Sequence, residues 1–167
     1  MTTDECIYVV DVRTPDGEKH YVTLLPPDTS FSQGLRREVI AGELLAPWES
    51  GKPFIPEFFV PNPAFVEVMH EVIGRVGPEL PNCRAEAHRI GDGILYLIDQ
   101  RTPTPGGAVP PEDIIGAFEV RSGAVVEESY RSNSNHKILS THGFFRLDAQ
   151  LRERLVRQLE SRNRKTS

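Results

Sequence analysis

The chain has 167 residues, with 24 acidic and 19 basic side chains and a net charge of −5 at neutral pH. That length supports one domain with its own apolar core, and the acidic balance argues against a protein that coats nucleic acid. Two cysteines are too few for a disulfide scaffold, and no apolar run is long enough to span a bilayer as a helix.

The first residues, MTTDECIYVV, lack the basic and apolar regions of a signal peptide. The expectation is a cytoplasmic protein with reduced thiols. A Cys6–Cys83 bridge would require their two segments to be neighbours. Prolines cluster at 26–27, 47–63 and 103–111, between the patterned segments, and read as loop material.

Residues 6–13 and 19–25 read as a hairpin turning through Pro15-Asp16-Gly17, because Asp-Gly is a strong hairpin signal. Pro26-Pro27 ends its second strand. A helix is expected next. Ser30 and Gln33 fit a capping box, and Phe31, Leu35, Val39 and Leu45, with Ile40 and Leu44, recur at helical spacing up to Pro47.

Residues 47–61, PWESGKPFIPEFFVP, place Trp48, Phe54, Phe58 and Phe59 among prolines. They read either as a stiff loop plugging the core or as a partner-binding lip. Asn62-Pro63 opens a second helix, Asn as cap and Pro at the first position. Phe65, Met69, Val72 and Val76 form its buried stripe, and Glu67, His70, Glu71 and Arg75 its wet face. His70-Glu71 is a fragment of a zinc-protease motif, but the position for a second histidine is Gly74.

Residues 83–90 are expected to form a strand that turns through Gly91-Asp92-Gly93 into Ile94–Ile98. The unbroken run Ile94-Leu95-Tyr96-Leu97-Ile98 suggests a strand covered on both faces, although periodicity leaves a buried helix open. A three-residue loop keeps like charges apart by placing Ala85 opposite Asp99 and Cys83 opposite Arg101. That register predicts a hollow beside Asp99 and Arg101.

Residues 114–120, 124–130 and 144–147 complete the strands. The segment 131–137 is a polar loop, and Asp148 caps a last helix with Leu151, Leu155 and Leu159 on one face. The fold expected is α+β. A mostly antiparallel sheet of five to seven strands carries two central helices and a C-terminal helix. It forms one domain over residues 1–161, with a basic C-terminal tail at 162–167.

Tyr8-Val9-Val10-Asp11-Val12-Arg13-Thr14-Pro15 matches Tyr96-Leu97-Ile98-Asp99-Gln100-Arg101-Thr102-Pro103 in the pattern Tyr, two aliphatics, Asp, any residue, Arg-Thr-Pro. The match reads either as recurring strand-end chemistry or as an internal duplication.

No Gly-x-Ser-x-Gly elbow, phosphate loop, dinucleotide fingerprint or zinc-finger cysteine pair is spelled. His136 and His142 lack convincing further ligands, so no metal and no cofactor is expected. The Asp99–Arg101 pair reads as a strand-end ion pair or as an anchor for an anionic group. Two functions remain. One is a non-catalytic domain that binds another protein, an inhibitor or immunity-type protein for a basic partner. Its candidate residues are Trp48, Phe54, Phe58, Phe59, Asp99, Arg101, Asn133, Asn135 and His136, and negative charge would steer the partner. The other follows from the layout alone, which resembles small metal-independent ribonucleases of the barnase and RelE type. That resemblance implies His88, His136 or His142 as acid or base, with Arg101, Arg131 or Lys137 on phosphate.

Overall fold

A computed structural model describes residues 7–26, 36–49, 52–101 and 108–164. The protein is α+β with antiparallel sheets, as the patterning predicts. Among the described residues, ten strands fall into three sheets, with three α-helices, one of them towards the C-terminus. By their contacts the described residues cluster into two compact units. One takes its residues from Met1–Met69 and Val156–Ser167, the other from His70–Leu155.

In the first unit the expected hairpin is β1 (Tyr8–Thr14) and β2 (Gly17–Thr23), paired from Tyr8 with Thr23 to Thr14 with Gly17. The helix expected over 30–45 is not found where the chain is described. Arg37–Val39 is a single 3₁₀ turn and Ile40–Leu44 is strand β3, between β2 and β4 (Phe59–Pro61). Apolar residues four apart suggested a helix, but Gly42 belongs to a strand. A Cβ there would collide with the Phe59 ring and stand 2.6 Å from the Val60 carbonyl. The capping pair Ser30 and Gln33 lies outside the described residues.

Helix α1 (Pro63–Val76) forms as predicted. Asn62 Oδ1 accepts the Ala64 N–H at 3.2 Å, and Phe65, Met69, Val72 and Val76 are buried.

In the second unit, residues 83–90 are helical and not a strand. They belong to α2 (Pro81–Ile90), which has Pro81 at its first position. Gly91 ends it at φ +79°, donating to the Ala87 carbonyl, so the glycine read as a hairpin turn is a helix C-cap. The predicted register across Ala85–Asp99 and Cys83–Arg101, and the hollow it implied, do not exist. Cys83 is buried, and its thiol is pushed up first by burial and then by Asp148; Cys6 lies outside the described residues.

Strand β5 (Gly93–Ile98) pairs with β6 (Ile114–Arg121), which also pairs with β7 (Ala124–Val125) and β8 (Arg131–Ser132). The two-faced burial expected for Ile94–Ile98 is overturned. Leu95 is buried, but Ile94 and Tyr96 are 53 % and 57 % exposed, and among the described residues β5 is an edge strand. Ala87, Leu95, Phe118 and Val120 form the core on its other face. The predicted strands at 124–130 and 144–147 shrink to β7 and to β10 (Gly143–Phe144), which pairs with β9 (Leu139–Ser140). Helix α3 (Ala149–Arg164) starts at the predicted cap, Asp148 Oδ2 accepting the Gln150 N–H at 3.1 Å, and continues through Arg162 and Arg164.

The two units repeat one module. In each, a 3₁₀ turn leads into a strand: Arg37–Val39 into Ile40, and Pro111–Asp113 into Ile114. In each, a glycine of that strand lies under an aromatic ring three residues before an asparagine. These are Gly42 under Phe59 before Asn62, and Gly116 under Tyr130 before Asn133. Asn62 Nδ2 donates to the Arg37 and Ile40 carbonyls at 2.7 and 2.8 Å; Asn133 Nδ2 donates to those of Pro111 and Ile114 at the same distances. Each asparagine N–H closes the ladder at 3.0 Å, on Ala41 and on Ile115.

The preceding strands also match. Val22 faces Gly42 and a bulge brings Thr23 opposite Ile40; Leu97 faces Gly116 and a bulge brings Ile98 opposite Ile114. β2 is therefore the counterpart of β5, and Tyr21 that of Tyr96. The longer sequence match, which aligns Tyr8 with Tyr96, joins strands that are not equivalent. Asp11 is exposed, with Oδ1 2.7 Å from His20 Nδ1, whereas Asp99 is buried.

Candidate functional site

Six large hydrophobic side chains are exposed among the described residues, and four of them gather in the first unit: Leu45, Ile55, Phe58 and Val60. Backbone geometry explains three of these. The Leu45 N–H donates to the Phe58 carbonyl at 2.7 Å, extending the β3–β4 ladder by one pair. Phe58 and Val60 are two residues apart on that extension, so they and Leu45 share a face.

A hollow of about 310 Å³ opens beside them, lined by Trp48, Phe54, Ile55 and Phe58. Trp48 and Phe54 stack with centroids 4.7 Å apart and planes 9° from parallel, and Trp48 Nε1 donates to the Lys52 carbonyl at 2.9 Å. Stacking and that bond brace Trp48 against Phe54, ahead of the 3₁₀ turn Pro56–Phe58 that leads into β4. Phe59 does not belong to this lip; it is buried over Gly42.

The second unit gathers the polar candidates. Asp99 and Arg101 close on each other where β5 ends, and both are buried with Asp113 and His136. Arg101 uses all five guanidinium donors. Nε donates to Asp113 Oδ1 at 3.0 Å, Nη1 to the Ile138 and Gly143 carbonyls at 3.2 and 2.9 Å, and Nη2 to those of Glu112 and Lys137 at 3.1 and 2.6 Å. Asp99 Oδ1 accepts the Arg101 and Arg146 N–H groups at 3.1 and 2.7 Å, and Oδ2 lies 3.0 Å from His136 Nε2. No guanidinium N–H remains for an anionic ligand. The pair read in sequence as an exposed strand-end bridge is the centre of a buried knot, whose partners satisfy its charges.

Asn133 is spent on the two carbonyls already named, and Asn135 is exposed with its N–H on Asn133 Oδ1 at 3.2 Å. The histidines do not converge. His88 is exposed at the end of α2, close to Gly123, whereas His136 is buried beside Asp99. The length of β5 separates those two places, about 20 Å at 3.3 Å per residue. His142 is exposed in the β9–β10 turn. Arg131 and Lys137 are exposed, and Lys137 Nζ lies 3.8 Å from Glu112. The geometry thus assembles no acid, base and free cation around one point. Among the described residues, no three His, Cys, Asp or Glu side chains are grouped to hold a metal, and no helix is long and apolar enough to cross a membrane.

The helical spacing puts His70 on the wet face of its helix, and the structure corrects this. It is half-buried, with Nδ1 2.7 Å from the Tyr130 hydroxyl. Burial, with a smaller contribution from His136, lowers its pKa to about 4, and burial pushes the Tyr130 phenol up. A neutral imidazole and a protonated phenol thus share one hydrogen bond with no charge on either. An i, i+4 pattern alone gave no signal of this, because the partner lies 60 residues away.

No family model, no curated protein and no solved structure matches the chain.

Proposed function

We propose that this protein is a non-catalytic binding domain, of the inhibitor or immunity type, that docks a basic protein partner through the lip formed by Leu45, Trp48, Phe54, Ile55 and Phe58. The observation that carries it is the exposure of Leu45, Ile55, Phe58 and Val60, of which Ile55 and Phe58 line a hollow braced by the Trp48–Phe54 stack. Leaving four such side chains in water sacrifices burial free energy that a partner would recover. A pocket edged by rigid aromatics suits one anchoring side chain of the partner. The net charge of −5 favours encounter with a cationic surface.

The test is site-specific photo-crosslinking in extract of the native host. A photoreactive residue replaces Phe58 in one protein and exposed Glu128 in another. The proposal expects one basic protein captured from position 58 and not from 128, and its loss when Ile55→Ser is added. Equal capture from both positions, or capture indifferent to Ile55→Ser, refutes the lip as the interface.

A further inference from the structure

The outer edge of β5 is a second interaction surface, and its own symmetry points to what covers it. On β6, the Ile115 carbonyl accepts from Asn133 N–H and the Glu119 carbonyl from Val126 N–H, so its odd-numbered residues face β7 and β8. Its even-numbered residues face Gly93, Leu95 and Leu97 of β5. Past the bulge Asp99 also turns inward, its N–H on the Asp113 carbonyl at 2.7 Å. The backbone N–H and C=O groups of Ile94, Tyr96 and Ile98 therefore point outward. Among the described residues no strand pairs with that edge.

The open stretch is closed at both ends. The Asp92 N–H donates to the Ile90 carbonyl at 3.0 Å, and the Gln100 N–H to the Arg146 carbonyl at 2.8 Å. Asp92 and Gln100 lie equally far from Tyr96 along the chain, so the open stretch is centred on Tyr96. Its residues, Ile94-Leu95-Tyr96-Leu97-Ile98, read the same in both directions. Neither charge nor proline blunts this edge, and Ile94 and Tyr96 are exposed. A two-fold axis beside Tyr96, normal to the sheet, lays the stretch antiparallel on its own copy, open groups against open groups.

The first unit shows which residues such an edge accepts. There the counterpart of β5 is β2, and β1 lies antiparallel along its outer edge, with Val10 opposite Tyr21. β1 begins with the Tyr, two aliphatics and Asp that recur from Tyr96 to Asp99. A second β5 thus brings to the open edge the residue types that fill the closed one.

We infer that two copies of the chain associate through β5, paired antiparallel about a two-fold axis at Tyr96. The Tyr96 N–H of each copy donates to the Tyr96 carbonyl of the other, and Ile94 and Ile98 exchange hydrogen bonds in the same way. On the exposed face Tyr96 packs beside its copy and Ile94 beside Ile98; on the other face Leu95 meets Leu97. The contact is isologous, one stretch supplying both sides. It does not use the aromatic lip.

The test is sedimentation equilibrium of the full chain, with residue-resolved amide hydrogen exchange at low and high protein concentration. A monomer–dimer equilibrium is expected. The Ile94, Tyr96 and Ile98 amides should slow about tenfold or more as the dimer fills, while Leu95 and Leu97, bonded to β6, change little. Tyr96→Lys and Tyr96→Glu alter an exposed side chain and set like charges across the axis, so each should weaken self-association at least about fivefold. Mixed one to one, the two variants should associate more tightly than either alone. Retained protection of Leu95 and Leu97 in each variant checks that its fold is kept. Ile55→Ser with Phe58→Ser should leave the dimer intact, which separates this site from the lip.

The inference is overturned by a chain that stays monomeric at about 1 mM, a concentration at which even a millimolar Kd populates dimer. Dimers in which the three amides stay unprotected, or which Ile55→Ser with Phe58→Ser abolishes, overturn it by placing the contact elsewhere. Protection of those amides in the sedimenting monomer, or a mixture no tighter than its components, overturns it as well.

Discussion

Tyr96 stands in the second unit where Tyr21 stands in the first: each precedes the residue facing the module's glycine, with its backbone turned away from that strand. Tyr21 meets Val10 of β1, whereas Tyr96 meets no strand among the described residues. One module thus occurs twice, and the following outcomes are expected from its parts.

The glycines should be equally intolerant. A Cβ at Gly116 would stand 2.5 Å from the Tyr130 hydroxyl and 2.7 Å from the Arg131 carbonyl, matching the crowding of Gly42 by Phe59 and the Val60 carbonyl. Gly42→Ala and Gly116→Ala should each cost about 1–3 kcal/mol through overpacking. In urea melts the midpoint should fall in both variants. Trimming the ring in Gly42→Ala/Phe59→Leu should cost less than the two single changes summed. An unchanged midpoint for either glycine variant would contradict the shared packing.

The knot should be sensitive to the shape of its cation as well as the charge. Arg101→Met leaves two buried carboxylates and four carbonyls without that partner, and should cost about 3–5 kcal/mol. Arg101→Lys keeps the charge with three donors in place of five and should cost less, though still measurably. Calorimetry of the three proteins checks the order wild type, Lys, Met.

Acid stability should carry the mark of His70. Its folded pKa of about 4 lies below the ordinary 6.5, so between those values the unfolded chain binds more protons. Stability therefore rises with pH across that window and is lost as pH falls through it. The loss is about 1–2 kcal/mol once the partial exposure of the ring is taken into account. His70→Gln can still hydrogen-bond Tyr130 but cannot titrate. Denaturant midpoints measured from pH 7 to pH 4 should fall less steeply in this variant than in wild type.

The aromatic loop should divide cleanly. Phe58→Ser and Ile55→Ser alter exposed side chains and should shift stability by less than about 0.5 kcal/mol. Phe59→Ala removes a buried ring and should cost about 3–5 kcal/mol. Thermal melts of the three variants distinguish a surface lip with one internal ring from a loop whose rings are all plugs.

Much of the fold was legible where local chemistry dictates it. The Asp-Gly hairpin, the Asn62-Pro63 helix start and the Asp148 cap each rest on a side chain acting within a few residues of itself. Two errors came from signals that fit two structures. Gly91 serves equally as a hairpin residue and as a helix C-cap, and the first reading turned α2 into a strand. Ile40–Leu44 has apolar residues four apart, but its β-branched start and its glycine suit a strand paired on both edges. The continuous run Ile94–Ile98 does not reveal which apolar residues face water, because the pattern of a two-faced strand and that of an exposed sticky edge are identical. The knot around Asp99 and Arg101 was half-visible. The pair is adjacent in sequence, but the carbonyls that consume the guanidinium come from residues 112 to 143. The duplication was concealed by a better textual match in the wrong strand. Glu-x-Ile-x-Gly at Glu38 and Glu112, followed by an aromatic three residues before Asn, is the shorter signal that marks it.

The reach of Arg101 also bears on biosynthesis. Its acceptors lie 11 to 42 residues further along the chain. A polypeptide still in the ribosomal tunnel cannot present the last of them until Gly143 has emerged, and the Arg146 amide that completes Asp99 comes later still. Stalled or truncated products ending before that point would retain the charges of the cluster without the acceptors that neutralise and bind them. Such fragments should be good substrates for cellular proteases, and the cluster should mature only after Gly143 and Arg146 have emerged.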